Sequence, residues 1–128
     1  MTTTPETITI DCGPGSSLTV TAHPTATPGL IVHGLGPFGD EWRLTHRQST
    51  NFLGEFDSYQ EAQDAASDLK GVVDWTAGPE ALQDEWVIWQ AIDAIELSGG
   101  RFLCRKGGLG ERVQEKRARV HEQQAGAE

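Results

Sequence analysis

The chain has 128 residues, a hydrophobic content of 37% and a formal net charge of −9 at neutral pH. This length and apolar content suit one domain that buries a core without disulfides or a structural metal. Because phosphate groups repel an acidic surface, the net charge argues against a general binder of nucleic acid or of anionic membranes.

The charge is polarised along the chain. Residues 1–100 contain 3 Lys and Arg against 15 Asp and Glu, a balance of −12, whereas residues 101–128 contain 7 against 4, a balance of +3. We therefore expect an acidic domain over residues 1–106. Residues 107–128 are expected to form a basic or polar C-terminal helix or tail, joined to the domain by a glycine hinge.

Short strands are predicted in the first half of the chain. Apolar and polar residues alternate in four segments, as in a strand with one buried face, and a fifth segment is apolar throughout. The loops between them have hairpin length, which favours antiparallel pairing. The sequence predicts an α+β fold with a mostly antiparallel sheet of three to five strands, packed against one or two helices. The predicted strands are Thr7–Asp11, Leu18–Ala22, Leu30–His33, Trp42–His46 and Phe52–Phe56.

The clearest helix signal follows the last of these strands. Ser58 and Glu61 stand at i and i+3, as in a capping box, where each side chain satisfies a backbone N–H of the first helical turn. Small apolar residues recur at helical spacing as far as Leu69, and Gly71 can adopt the left-handed conformation that ends a helix. We expect a helix from about Tyr59 to Leu69 that lies close to the sheet.

A second helix is predicted over Pro79–Leu97, after a short extended segment at Val72–Thr76. Proline suits a first helical turn, and large apolar residues recur at helical spacing. Two other interpretations stay open: a buried strand over Trp86–Ile92, or a hairpin over Ala94–Arg105. In the helical interpretation a last short strand, Arg101–Arg105, follows.

The C-terminal segment Glu111–Gln124 is polar on all sides, with only Val113 and Val120 apolar. We therefore expect it to bury no face. It is either a solvent-exposed helix, supported by pairs such as Glu115 with Arg119 at i and i+4, or a disordered tail.

The histidines are candidate metal ligands or catalytic bases, but none stands at a metal-ligand spacing from another His, Cys or acidic residue. His33 and His46 lie on neighbouring predicted strands near Asp40 and Glu41. We expect hydrogen bonds within the sheet to satisfy these two side chains. The sequence therefore predicts no catalytic residue, no metal and no cofactor. The four histidines are His23, His33, His46 and His121.

The glycine run and the cysteines are also interpreted structurally. Gly107-Gly108-Leu109-Gly110 lacks the Gly-Lys-Ser/Thr ending of a P-loop, which favours a hinge. Cys12 and Cys104 follow no metal or redox spacing, so reduced thiols in a cytoplasmic protein are favoured over a disulfide. The sequence shows no signal-peptide pattern and no apolar run of roughly 20 residues, so we expect no membrane association.

Four tryptophans in 128 residues indicate either a strongly aromatic core or an aromatic anchor on a binding surface. We assign Trp42 and Trp75 to the core and leave both interpretations open for the other two. Acidic residues on the outer face of the first helix form either a solvated surface or a patch for a basic partner. The predicted partner-binding residues are Glu61, Asp64, Asp68, Trp86 and Trp89.

Part of the chain resembles a known group of proteins. The strand Trp42-Arg43-Leu44-Thr45-His46, the step Phe56-x-Ser58 into an alanine-rich helix, and Asp74-Trp75-Thr76 are similar to small uncharacterised proteins of actinobacterial phages, plasmids and integrative elements. The resemblance covers roughly residues 40–77. It implies an accessory protein of a mobile element and brings no activity with it.

The strand–turn–strand–helix order is also similar to the AP2-like arm-binding domain of tyrosine integrases, in which a three-stranded sheet enters a DNA groove. The charges depart from that pattern, because the hairpin carries only two arginines against four acidic residues. Fold similarity alone does not transfer function. The hairpin charges are Arg43 and Arg47 against Asp40, Glu41, Glu55 and Asp57.

Three hypotheses of different class follow. The first is a non-enzymatic accessory protein that binds a protein partner through its acidic surface, including an acidic decoy for the nucleic-acid groove of a host factor. The second is a DNA-binding module that uses the hairpin and the basic C-terminal segment. The third is a small enzyme, which requires a pocket where titratable groups converge. The DNA-binding candidates are Arg43, Arg47, Arg105, Lys106, Arg112, Lys116, Arg117 and Arg119.

Overall fold

The structure, a computed structural model, describes residues 6–35, 39–104 and 107–126. Within these ranges the chain forms six strands, three α-helices and a short 3₁₀ helix, Pro79–Gln83. The α-helices are α1 (Tyr59–Asp68), α2 (Glu85–Leu97) and α3 (Leu109–Gly126). The strands are β1 (Glu6–Gly13), β2 (Ser16–Pro24), β3 (Leu30–Gly34), β4 (Trp42–His46), β5 (Asn51–Phe56) and β6 (Arg101–Phe102).

The strands form one sheet in the order β1-β2-β3-β4-β5-β6, and each strand is antiparallel to its neighbours. The predicted α+β class and antiparallel pairing are confirmed, and the sheet has one strand more than the largest predicted number. The additional strand, β6, is two residues long and pairs with Gly54 and Glu55 of β5. It is shorter than the predicted Arg101–Arg105, and Arg105 lies outside the described residues.

Helix α1 begins where the capping box predicts, with Ser58 as the N-cap, but the Glu61 carboxylate accepts from the Ser58 hydroxyl and not from a backbone N–H. The Glu61 amide donates to Ser58 Oγ at 3.2 Å, and Ser58 Oγ donates to Glu61 Oε1 at 3.2 Å. The helix ends at Asp68, and Gly71 follows with a positive φ of 86°. The inner face is small and buried, which lets α1 lie close to the sheet. Its buried residues are Ala62, Ala65 and Ala66.

The segment after α1 is not extended. Residues 70–77 form turns and bends, in which the Trp75 indole is buried and its Nε1 donates to the Leu69 carbonyl at 2.9 Å. Trp75 therefore belongs to the core, as predicted. Trp42 lies only partly buried at the edge of the core, where its ring meets His23 and Tyr59 edge-on.

The predicted helix over Pro79–Leu97 is divided in two. The 3₁₀ helix ends at Gln83, and Asp84 then adopts an extended backbone. The Asp84 carboxylate accepts a hydrogen bond from the Trp86 amide at 2.8 Å, so this residue is the N-cap of α2. This division sets the start of α2 at Glu85, which places Trp86 in the first turn of that helix.

The two faces of the sheet are covered by different elements. One face carries Leu30, Val32 and Leu44, which join α1 and α2 in the main core. On the other face His33 and Thr45 are fully buried, and β1 and β2 turn Ile10, Val20 and Ala22 inward. Ile10 lines a cavity together with Phe52 and Phe102, so the β1–β2 hairpin comes back over β5 and β6.

Helix α3 packs against α2, contrary to the expectation that this segment buries no face. Val113 is 1% exposed and belongs to the main core, and Leu109 packs against the same core. The close approach begins at Gly110, where a Cβ would lie 3.0 Å from Cys104 Cβ and 3.2 Å from the Phe102 ring. Val113 and Val120 alone are too few apolar residues to give a periodic signal, so this contact could not be predicted from the sequence.

Candidate functional site

An aromatic groove lies between α2 and α3. It has a volume of about 330 Å³, and its lining combines two indoles, a valine and an oppositely charged pair. The volume is at the lower end of the range for small-molecule sites, and the groove is open to solvent along the helices. The aromatic groove is lined by Glu85, Trp86, Trp89, Gln90, Val113 and Lys116.

Trp86 is the exposed member of the predicted tryptophan pair. Its side chain is 57% exposed, whereas Trp89 is partly buried against the core. The reason is the helical period: Val87, Ile88 and the later core residues of α2 face the sheet, and Trp86 lies on the opposite side. From the sequence, each of these two indoles could lie in the core or at the surface. In the structure Trp86 lies at the surface and Trp89 is partly buried.

Trp86 begins a stripe of residues on α2 at the border between its outer face and the side that contacts α3. Gln90, Asp93 and Leu97 follow it at i+4, i+7 and i+11, and Leu97 is 83% exposed. Helix α2 holds this orientation because its inner face fits tightly on β5, where a Cβ on Gly54 would lie 3.0 Å from the Ile95 side chain. Leu97 was not singled out in the sequence, since an apolar residue near a helix end carries no signal of exposure.

Charged contacts connect α3 to α2 beside the groove. Lys116 Nζ lies 2.8 Å from Glu85 Oε1, and Arg117 lies 2.6 Å from Asp93 Oδ1 and 2.7 Å from Glu96 Oε1. Burial opposes the charged guanidinium, but its hydrogen bonds to the two carboxylates outweigh burial and raise the pKa of Arg117. The basic segment, predicted as a helix or a tail, therefore contains a helix that is bound to carboxylates of α2.

The acidic residues predicted for partner binding on α1 are not equivalent. Glu61 is half-buried, takes part in the capping box and lies against Gly99. Asp64 and Asp68 are exposed one turn apart, and Asp64 accepts a hydrogen bond from Gln60. These three residues, the acidic face of α1, lie on a different helix from the aromatic groove, so the structure divides the predicted binding residues between two surfaces.

The arginines proposed to contact DNA are mostly engaged elsewhere. Arg43 pairs with Glu55 at 2.9 Å and stacks on the Phe52 ring, and Arg47 pairs with Glu6. In the C-terminal segment Lys116 and Arg117 pair with α2 as described above. Arg112 and Arg119 are exposed and form no ion pair with the described residues, and Arg105 and Lys106 lie outside those residues. These contacts do not favour a DNA-binding surface.

The strand histidines are satisfied by hydrogen bonds, as predicted. His33 Nδ1 donates to the Gly34 carbonyl at 2.9 Å, and its Nε2 accepts from Thr45 Oγ1 at 2.8 Å. His46 Nε2 donates to the Trp75 carbonyl at 2.9 Å, and its Nδ1 accepts from Ser49 Oγ at 2.8 Å. We assign these tautomers from the partners, and both correspond to a neutral ring.

Burial lowers the pKa of both rings, against an opposing effect of their hydrogen bonds to backbone carbonyls. Arg43 lowers the pKa of His33 further, and Glu80 raises that of His46. Neither ring lines the aromatic groove or the larger cavity. Across the part of the chain that is described, no group of three or more His, Cys, Asp or Glu side chains could hold a metal ion.

The larger cavity, about 780 Å³, lies where the β1–β2 hairpin, β5, β6 and the start of α3 meet. Most of its lining is apolar, and Cys104 is the only titratable side chain among the described residues that line it. Cys104 carries a free, exposed thiol that donates to Gln114 Oε1 at 3.4 Å. Partial burial, together with the charge of Glu111, raises the pKa of this thiol and disfavours the reactive thiolate. The side chain of Cys12 lies outside the described part of the structure.

Within the described ranges no helix is both long enough and apolar enough to cross a bilayer. Comparisons with known proteins give no further guidance. No family model, no curated protein and no solved structure matches this chain.

Proposed function

We propose that this chain is a non-enzymatic protein-binding module that docks on a partner protein through the aromatic groove. The observation that supports the proposal is the exposure of Trp86 at the mouth of that groove. Tryptophan is enriched at the energetic centres of protein interfaces, because a large rigid ring gains contact area at a low cost in conformational entropy. An indole that the fold leaves in solvent is available for this use.

The charge distribution supports a partner with a basic surface. The chain carries a net charge of −9, and Asp64 and Asp68 extend into solvent without a basic partner among the described residues. The negative electrostatic potential of these charges accelerates encounter with a positively charged surface, and it contributes less to the final affinity. In this proposal Trp86 supplies affinity, and the acidic face of α1 supplies orientation and association rate.

The test compares the full chain with two alanine variants of the stripe of α2 that begins at Trp86. Trp86→Ala removes the proposed anchor, and Leu97→Ala is the matched control, since Leu97 is an exposed apolar residue of the same helix outside the groove. Each protein is used for affinity capture followed by mass spectrometry, and the captured partner is then purified and titrated against all three. We expect Trp86→Ala to weaken binding by about thirtyfold, the loss typical of a hot-spot residue, and Leu97→Ala to leave it nearly unchanged.

Equal affinity of wild type and Trp86→Ala for the partner would rule out the aromatic groove as the docking site. The role of charge is tested separately by Asp64→Asn combined with Asp68→Asn. This variant is expected to lower the association rate at low salt and to leave the dissociation rate unchanged.

A further inference from the structure

We propose that α3 is an internal competitor for the partner-binding side of α2, and that the partner inserts a basic amphipathic helix where α3 now lies. This inference rests on the proposed function and adds the chemistry of the partner and the way in which binding is regulated. The observations that carry it are the acidic face of α2, the small apolar contact of α3 with the core, and the indole that α3 leaves uncovered.

The face of α2 toward α3 is built for a cationic helix. Glu85, Asp93 and Glu96 lie on this side, and each accepts a contact from a basic residue of α3 at 2.6 to 2.8 Å. Three carboxylates along one helix face would repel each other if they were left without a cation. The contacts of α3 therefore show directly which chemistry this face accepts: a helix with an apolar residue flanked by Lys and Arg.

Few apolar side chains attach α3, although the helix has 18 residues. Among its described side chains Val113 is the one that is fully buried, and Leu109 adds partial burial. The ion pair between Lys116 and Glu85 is about half exposed on both sides, so water and salt weaken it. Arg117 is only 13% exposed, so its contacts with Asp93 and Glu96 are the firmer part of the attachment. Gly107, with a φ of 79°, and Gly108 precede the helix and allow it to swing away from α2.

The uncovered indole gives an external helix an advantage over α3. A competitor displaces a bound segment only if it binds the same face more tightly. Among the described side chains of α3, no large apolar one covers Trp86, which remains 57% exposed. A basic helix with one additional large apolar residue over Trp86 would bury this indole and keep the contacts to the three carboxylates.

The experiment uses the full chain and a fluorescent synthetic peptide of residues 107–126 as the probe. In wild type the attached α3 competes with the peptide at high effective concentration, so we expect weak binding. Arg117→Glu sets the attached helix against Asp93 and Glu96, and the peptide should then bind about tenfold more tightly, at an affinity that falls with added NaCl. The matched control is Arg119→Glu, the same charge change at an exposed position of α3 without an ion pair to α2, which should bind like wild type.

Folding of each variant is checked by its circular dichroism and melting temperature, and Arg117→Gln replaces Arg117→Glu if the latter is unfolded. A peptide with glutamine in place of its Lys and Arg residues should not bind any variant. The proposal is overturned if Arg117→Glu and Arg119→Glu bind the probe equally. It is also overturned if sedimentation shows a concentration-dependent dimer of wild type, because the occupant of the α2 face would then be the α3 helix of a second copy.

This outcome is independent of the capture experiment with Trp86→Ala. If Trp86→Ala retains the captured partner, the proposed docking site is wrong, while the response of Arg117→Glu to the peptide still reports whether α3 can be displaced. If the capture experiment succeeds and the peptide does not distinguish the two arginine variants, the groove is used without displacement of α3.

Discussion

Glu55, on β5, joins two arginines of the neighbouring strands β4 and β6. Its carboxylate lies 2.9 Å from Arg43 and 2.6 Å from Arg101, and the Arg43 guanidinium also stacks on Phe52 at 5.0 Å from the ring centroid. Arg43 Nε is buried and has no hydrogen-bond partner. The free-energy cost of removing the Arg43 guanidinium from water is therefore offset largely by its ion pair with Glu55.

We predict that Glu55→Gln lowers the free energy of unfolding by about 1–3 kcal/mol, because it leaves a mostly buried guanidinium without its counter-charge. The matched control is Glu122→Gln, the same change at an exposed position of α3, which should alter stability by less than about 0.5 kcal/mol. Urea denaturation at neutral pH measures both. Equal stability of the two variants would mean that Arg43 is solvated well enough without Glu55.

The buried histidines make stability depend on pH. Burial lowers the pKa of His33 and of His46, so the unfolded chain binds protons more readily than the folded chain. Their contribution to stability is complete above the ordinary histidine pKa of 6.5 and is lost as the pH falls below it. We predict that unfolding free energy is lower at about pH 5.5 than at about pH 7.5, with a slope of at most about 1.4 kcal/mol per pH unit for each ring. His33→Asn should reduce this slope, and an unchanged slope would assign the dependence to other groups.

At the scale of single elements, α1 shows how local chemistry determines a boundary. The Ser58–Glu61 capping box could be identified in the sequence because it depends on two residues at a fixed spacing. We predict that Ser58→Ala destabilises the protein by about 1 kcal/mol, the usual cost of losing an N-cap. Ser67→Ala is the control, since Ser67 is an exposed interior position of α1 where alanine favours the helix. Thermal or urea unfolding distinguishes the two, and equal stability would show that the cap contributes nothing.

Two positions of α3 carry the same side chain in different surroundings. Val113 is 1% exposed and Val120 is 36% exposed. We predict that Val113→Ala costs about 2 kcal/mol in unfolding free energy and speeds amide hydrogen exchange throughout α3, because the cavity left behind loosens its contact with α2. Val120→Ala should change stability by less than about 0.5 kcal/mol. If both variants exchange at the wild-type rate, α3 is held by its ion pairs and not by Val113.

The elements that the sequence predicts well are those fixed by neighbouring residues. The strand pattern of Trp42–His46, the cap at Ser58 and the glycine that ends α1 all depend on local spacing, and each lies where the pattern indicates. The division of the second helix at Asp84 was missed, because the sequence Pro79–Leu97 contains no breaker. Contacts between distant segments, such as Arg117 with Asp93 and Glu96, were not predictable, since they depend on how α3 lies on α2.

At the scale of the whole molecule, the dominant feature is an excess of negative charge in a small volume. The chain has 19 acidic and 10 basic residues, and most basic residues that the structure describes are already in ion pairs. The remaining carboxylates repel one another in the folded state more than in the extended chain. Salt therefore has opposite effects on the fold as a whole and on the attachment of α3.

We predict that raising NaCl from about 10 mM to about 200 mM at neutral pH increases the global free energy of unfolding, because screening relieves repulsion among the acidic residues. Over the same range the amides of α3 should exchange faster, since its ion pairs with α2 are screened. Urea denaturation and hydrogen exchange measure the two effects on one sample. A uniform decrease of both quantities with salt would mean that attraction between charges, and not repulsion, dominates in the folded protein.

The turn between β1 and β2 has a practical consequence for these measurements. Pro14, Gly15, Ser16 and Ser17 are exposed, and nothing lies within 4 Å of the point where Gly15 would carry a Cβ. An exposed turn with open space around Gly15 accepts a short epitope or a dye-attachment sequence. None of the four turn residues lines the aromatic groove, so the protein can be immobilised there, outside its proposed docking site, without a terminal tag.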